Sequence, residues 1–171
     1  NECKELLFVV EREADGREPL VRSINFGLDG MQSFSFTLEE ERSAVLVPAG
    51  QVGTYLYEPN ASVLKAGAFK QIAVRTGVKK LQVNSHLYTA DHLVSDFPGR
   101  RFRVDEVLSF TGKLCKGLSK TIPQANITVR NFPLSVEELR KRTKITDGGH
   151  VYLFATTLVD GEKVLVKCSK A

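Results

Sequence analysis

The sequence predicts an α+β fold: a β-rich segment with one helix over residues 1–99, then a compact β-α-β-α-β-β domain over residues 100–171. Three observations carry this reading. Short apolar stretches alternate with polar residues at a period of two and end at turn dipeptides, the mark of half-buried strands. A few other stretches repeat their apolar residues every four positions behind a capping residue, the mark of short amphipathic helices. The charge also changes sign at Pro98-Gly99.

Leu6 to Val10 is a nearly continuous apolar run, which suits a strand covered on both faces. Glu13-Ala14-Asp15-Gly16-Arg17 then turns the chain, and Leu20 to Phe26 returns as a second strand. After Asp29-Gly30, Met31 to Thr37 alternates phenylalanine with serine and reads as a strand with one wet face. The acidic Leu38 to Arg42 stretch suits a single helical turn. A strand at Thr54 to Tyr57 ends at Glu58-Pro59. Asn60 then caps one helix running to about Thr76, with Leu64, Ala68 and Ile72 on one face and Gly77 past its end.

In the second unit Phe102, Val104, Leu108 and Phe110 share one parity in a long strand. Thr111 caps a helix whose Leu114, Leu118 and Ile122 pack inward, while Lys113, Lys116 and Lys120 fall at i, i+3 and i+7 on another face. Pro123 ends it. Ala125 to Arg130 is a strand with Ile127 and Val129 inward, and Thr128 and Arg130 outward. Ser135-Val136-Glu137-Glu138 has capping-box spacing, so a helix runs from Val136 to about Thr143. Asp147-Gly148-Gly149 turns the chain into strands at Val151 to Leu158 and Val164 to Cys168, joined as a hairpin at Asp160-Gly161. Helices on a mostly antiparallel sheet result.

The 171 residues suffice for a real core. No apolar stretch approaches the ~20 residues that span a bilayer, so no membrane partner is expected. The chain begins at Asn1 without the features of a secretory signal, which reads as a fragment lacking its natural N-terminus. Cys3, Cys115 and Cys168 are too few and too far apart for a metal motif or a disulfide framework, and point to reduced thiols in the cytoplasm. His86 and His92 lie six apart, outside the helical metal-binding spacing, and no nucleophile elbow, Walker loop or dinucleotide-binding glycine pattern occurs. Asp91-His92 is an adjacent pair whose side chains diverge on a strand. Glu39-Glu40-Glu41, with no second acidic cluster, reads as a solvated face. Cys115 has basic neighbours but adjoins the apolar face of its helix, and packing is expected of it rather than reactivity. No catalytic, metal or cofactor residue is therefore assigned.

Charge points to binding instead. Residues 1–99 hold 10 Lys+Arg and 13 Asp+Glu, a net −3, while residues 100–171 hold 14 and 7, a net +7. The second unit's candidates come from several elements: Arg100, Arg101 and Arg103 on its first strand, Lys113, Lys116 and Lys120 on its first helix, Arg130 on a strand, and Arg140, Lys141, Arg142 and Lys144 closing its second helix. Such side chains neutralise phosphates and release counterions, which drives sequence-independent affinity for nucleic acid. Solubility alone is the plainer reading of scattered lysines, and helix-dipole compensation explains one or two charges after Leu139. Tyr152, Phe154 and Phe132 are the aromatic residues available for base stacking.

Val107-Leu108-Ser109-Phe110, Ile127-Thr128-Val129-Arg130-Asn131-Phe132-Pro133-Leu134, Val136 to Arg142 and the hairpin through Val159 to Val164 together resemble the THUMP-like domain at the C-terminus of a family of bacterial class I SAM-dependent methyltransferases. Tyr57 to Gly67 and Asn84-Ser85-His86-Leu87-Tyr88-Thr89 look like the segment linking that domain to the methyltransferase fold, and Asn1 to Leu7 like a strand near the end of the catalytic domain. The family's SAM-binding loop lies N-terminal to all of these. The resemblance thus implies a noncatalytic region that binds structured RNA, tRNA or rRNA, and positions it for a catalytic domain outside this chain, where SAM is expected. The alternative is a structural or protein-interaction domain that stabilises the methyltransferase or contacts a protein partner through the Asn1 strand and Tyr57-Glu58-Pro59.

Overall fold

The computed structural model describes residues 5–10, 12, 16–27 and 30–171. The expected strand from Asn1, Cys3, the Glu13-Ala14-Asp15 turn and Asp29 fall outside the described residues. The elements are β1 (Leu20–Gly27), β2 (Gly30–Thr37), α1 (Leu38–Ser43), β3 (Tyr55–Pro59), α2 (Ala61–Ala66), α3 (Gln71–Thr76), β4 (Lys79–Lys80), β5 (Tyr88–Ala90), β6 (Gly99–Ser109), α4 (Gly112–Thr121), β7 (Asn126–Val129), α5 (Val136–Thr143), β8 (Tyr152–Thr157) and β9 (Lys163–Lys170). The α+β class holds. β1 and β2 form an antiparallel ribbon, and the other seven strands form one sheet in the order β4-β5-β3-β6-β9-β8-β7. Only β7 and β8 run parallel in it.

Three expectations for the first unit change. Leu6 to Val10 lies in no strand and is exposed throughout, because no partner strand among the described residues covers it. The single helix from Asn60 to Thr76 is two: Gly67 adopts the left-handed conformation at φ 81°, which ends α2, and the chain restarts as α3. Asn60 precedes α2 without a side-chain cap, since its amide donates instead to Gln32 Oε1 at 2.8 Å. The Phe-Ser alternation of β2 does work as expected, burying Phe34 and Phe36 against Tyr57, Tyr88, Phe97, Ile72 and Val63. Two short strands, β4 and β5, carry no periodic signal long enough to read.

The sheet runs straight through Gly99, with Pro59 opposite Gly99 and Leu56 opposite Phe102. A methyl group at Gly99 would overlap the Glu58 carbonyl and come within 2.7 Å of the Phe97 ring and 2.8 Å of Pro59 Cα, so this close approach requires glycine.

The long strand β6 does not keep one parity. Its register shifts between Val104 and Glu106, a bulge that inserts one residue and exchanges the two faces beyond it. Phe102 and Val104 therefore join Leu56, Phe154, Val164, Val166 and Cys168 on one face. Leu108 and Phe110 pack on the other face with Leu118, Ile122, Leu139, Leu153 and Leu165, beneath α4 and α5.

The sheet is strongly curled. β4 and β7 stand six steps apart in the sheet, about 29 Å if flat at ~4.8 Å per step. Yet Asn131, two residues past β7, donates to Gln82, two residues past β4, at 3.0 Å. The two edges therefore converge at one end, enclosing the Phe102–Phe154 core, whose rings meet edge-on at 4.9 Å. α4 and α5 pack on the opposite face.

Candidate nucleic-acid interface

Thr111 accepts a hydrogen bond from the Leu114 amide at 3.1 Å and starts α4, which buries Cys115 and Leu118. Rotating the helix away from that stripe brings Lys113, Lys116 and Lys120 into solvent. α4 contains no acidic residue, and none of the three lysines forms an ion pair among the described residues. In α5 the capping box is complete: Ser135 Oγ accepts from the Glu138 amide at 3.2 Å, and the Glu138 carboxylate accepts from the Ser135 amide at 2.7 Å. The acids are spent at that N-terminus, and Lys141, Arg142 and Lys144 project at the other end. The two helices pack side by side, close enough for the Arg142 charge to act on the Cys115 thiol of α4, although burial is the larger influence and raises that thiol's pKa.

The other predicted residues separate from this patch. Arg140 anchors its own loop, donating to the Ile145 carbonyl at 3.3 Å and the Ala125 carbonyl at 3.2 Å and pairing with Asp147. Arg100 and Arg130 both turn to Glu58, whose side chain is only 5% exposed. Arg100 Nε donates to Oε2 at 2.8 Å, and its terminal nitrogen pairs with the same oxygen. Arg130 Nη2 donates to Oε1 at 2.9 Å. Arg130 therefore does not face outward as its parity suggested, because the curled sheet makes that side an interior. Arg101 donates to the Ser95 carbonyl, and Arg103, opposite Ser169 in β9, stays exposed. The structure thus leaves Lys113, Lys116 and Lys120 exposed on α4 and Lys141, Arg142 and Lys144 exposed at the end of α5, and commits Arg100, Arg130 and Arg140 to internal partners.

Of the aromatic candidates, Phe154 is fully buried, and Phe132 packs edge-on against Phe110 at 4.9 Å. Tyr152 is half-buried on Phe102 at 4.9 Å and lines a surface hollow of about 320 Å³ with Arg100, Arg101, Phe102 and Lys170. Lys170 is a basic neighbour that sequence reasoning did not select. Its position opposite Phe102 follows from strand register, which no local signal encodes.

The catalytic alternatives do not assemble. Asp91 accepts from the Thr54 amide at 3.3 Å, and the carbonyl of His92 accepts the Tyr57 hydroxyl at 2.9 Å. His86 stacks on Phe69 at 4.1 Å, where burial first, then the charges of Lys80 and Arg130, lower its pKa to about 4. Glu41 accepts the Lys70 and Gln71 amides at 2.9 and 2.8 Å, and Glu40 completes the capping box of α1, so the acidic run is structural. No group of three metal-ligating side chains forms among the described residues, and no helix there is long and apolar enough to cross a membrane. Cys168 is buried, with its thiol pushed up to about 12.

Residues 99–170 match the family model described as THUMP domain-like, and residues 55–98 match one described as a ferredoxin-like domain. The chain is also similar to a crystal structure named "putative methyltransferase from Porphyromonas gingivalis W83", with 47% identity and a TM-score of 0.85 over 89% of this chain and 38% of that one. It spans well under half the length of that protein. No curated protein matches it. The chain is therefore similar over residues 99–170 to THUMP-like domains and over residues 55–98 to a ferredoxin-like domain, and over most of its length to part of a protein named "putative methyltransferase".

Proposed function

We propose that this chain is a noncatalytic RNA-binding region of a SAM-dependent methyltransferase, positioning structured RNA, tRNA or rRNA, for a catalytic domain elsewhere in a longer cytoplasmic protein. The observation that carries the reading is the acid-free outer face of α4, where Lys113, Lys116 and Lys120 are exposed, on a helix packed beside α5, which ends in exposed Lys141 and Arg142 and the cap residue Lys144. Six cations on two neighbouring helices suit a phosphate backbone better than a small ligand, and both helices are fixed by their caps and by the core beneath them. Methyl transfer and the SAM site belong to the catalytic domain in this reading. Four junctions lead from strand to helix, β2 to α1 at Thr37, β3 to α2 at Asn60, β6 to α4 through Phe110-Thr111 and β7 to α5 through Arg130 to Ser135, and the absence of a glycine-rich phosphate loop at each supports placing SAM in that other domain. Replacing Lys113, Lys116 and Lys120 together by Glu should abolish binding of a hairpin RNA measured by fluorescence anisotropy at low salt. Undiminished binding by that folded variant would sink the reading.

A second reading rests on Leu6 to Val10, whose five apolar side chains are all exposed, and on Phe26 and Met31, exposed opposite one another on the ribbon. This surface suits a structural or protein-interaction role, in which the chain stabilises the catalytic domain or contacts a protein partner. It predicts that polar substitution at Phe8 and Phe26 impairs that association while RNA binding survives.

A further inference from the structure

At the end where the curled sheet closes, two arginines share one carboxylate. Glu58 is met there by Arg100 and Arg130, and His86 lies within the field of both Arg130 and Lys80. Lys80 is 3% exposed, and its ammonium donates only to the Val83 carbonyl, at 2.7 Å, beyond its cation–π contacts with Phe69 and Tyr88. The charge of Glu41 reaches Lys80, whereas Arg100 and Arg130, both partly exposed, share Glu58 as their one carboxylate. A second anion beside the two arginines would complete that balance.

The same place has unmet hydrogen-bonding groups. His86 Nδ1, Arg130 Nε and Thr156 Oγ1 are the buried side-chain polar atoms without a partner among the described residues. The topology places two of the three together. β7 pairs in parallel with β8, Val129 beside Ala155, and the ladder continues through the bond from the Arg130 amide to the Ala155 carbonyl at 2.9 Å. Arg130 and Thr156 are therefore neighbours on one face, the interior one that holds Phe154. His86 lies on the loop between β4 and β5, which Asn131, next to Arg130, ties down through Gln82, and it is close enough for the Arg130 charge to act on it. Arg130 keeps 39% of its side chain exposed and Arg100 45%, so solvent borders the site, while the three unpartnered atoms themselves are buried.

We propose that Arg130, Thr156 and His86 bind a phosphate-type oxyanion at the closure of the sheet. Arg130 Nε–H and the Thr156 hydroxyl donate to its oxygens. His86 donates as its Nδ1–H tautomer, and Lys80 supplies field without contact. The ligand chemistry is a phosphate group, either free or at the terminus of an RNA strand. The site shares no residue with the α4–α5 patch, so it stands or falls apart from the RNA-binding proposal.

The test is thermal unfolding of the 171-residue chain in inorganic phosphate against chloride at equal ionic strength and pH 7.5. The wild-type midpoint should rise with phosphate and saturate, as ligand linkage requires. Thr156→Val, isosteric and relieved of an unpaired hydroxyl, should unfold in chloride at or above the wild-type midpoint yet bind phosphate at least tenfold more weakly. His86→Asn, which tolerates the positive φ at that position, should weaken it similarly. A midpoint indifferent to phosphate, or a phosphate dependence identical in wild type and Thr156→Val, overturns the proposal and leaves water as the partner of these atoms. A 5′-phosphorylated hairpin RNA and its dephosphorylated form then name the source. Displacement of phosphate by the first alone assigns a terminal RNA phosphate, and displacement by neither assigns the free ion.

Discussion

Arg130, the first residue past β7, donates from Nη2 to Oε1 of Glu58 at 2.9 Å across 72 positions of sequence and four steps of the sheet. The bond joins the residues matched to the ferredoxin-like family with those matched to the THUMP-like family. It exists because the sheet curls. In a flat sheet β3 and β7 would stand about 19 Å apart.

Glu58→Gln should therefore destabilise the whole chain rather than one half of it. The variant leaves two arginines facing a neutral amide. Because both stay partly in solvent, the expected cost is about 2 kcal/mol, below the 3–5 kcal/mol of a fully buried broken pair. Urea unfolding should show one transition at a lower midpoint with an unchanged slope. Two separated transitions would show that the halves fold independently.

Gly99→Ala should be worse. The added methyl meets the Glu58 backbone, the Phe97 ring and Pro59 at once, and no flexible side-chain end can yield to it. A loss of about 3 kcal/mol or more is expected, in the range reserved for overpacking at fixed backbone. A midpoint within the error of wild type would contradict the close β3–β6 approach.

The caps of the second unit were legible because their chemistry is local. Thr111, Ser135 with Glu138, and the Asp160-Gly161 hairpin each declare themselves within four residues, and each stands as read. Gly67 was visible too, but its left-handed turn decides between one helix and two only once Phe69 and Ala68 have somewhere to pack. What stayed hidden is non-local. The bulge after Val104 reverses the facing of Leu108 and Phe110, and the curl turns Arg130 inward, and neither leaves a period or dipeptide in the sequence. The same limit applies to the candidate site. The lysine stripe of α4 follows from helical spacing, whereas Arg100, Arg130 and Arg140 look equally free until their partners, 42, 72 and 7 residues away, are known.

Ser135→Ala removes the side chain that closes the capping box of α5, and should cost about 1 kcal/mol, seen as a lower urea midpoint. Since α5 presents Lys141, Arg142 and Lys144, RNA affinity should fall modestly as that helix frays. An unchanged midpoint would mean that Glu138 and the core hold the N-terminus without the serine.

His86 gives the chain an acid-sensitive term. Its pKa is lowered from 6.5 to about 4 by burial and by Lys80 and Arg130, so the unfolded chain binds the proton more readily. The stability it contributes is complete above about pH 6.5 and is lost as the pH falls towards 4. His86→Asn should flatten the decline of the unfolding midpoint across that window in phosphate-free buffer. Parallel pH profiles for variant and wild type would show that His86 is not held neutral.

The salt dependence of RNA binding tests the central claim most directly. If α4 and α5 grip phosphates, log Kobs against log[salt] should fall linearly with a slope near −0.7 to −0.9 per phosphate contacted, and the milder Lys113→Gln/Lys116→Gln/Lys120→Gln should both weaken binding and flatten that slope by about 2 to 3. A hairpin RNA bound with the same slope by variant and wild type, or not bound by either at low salt, would contradict the account.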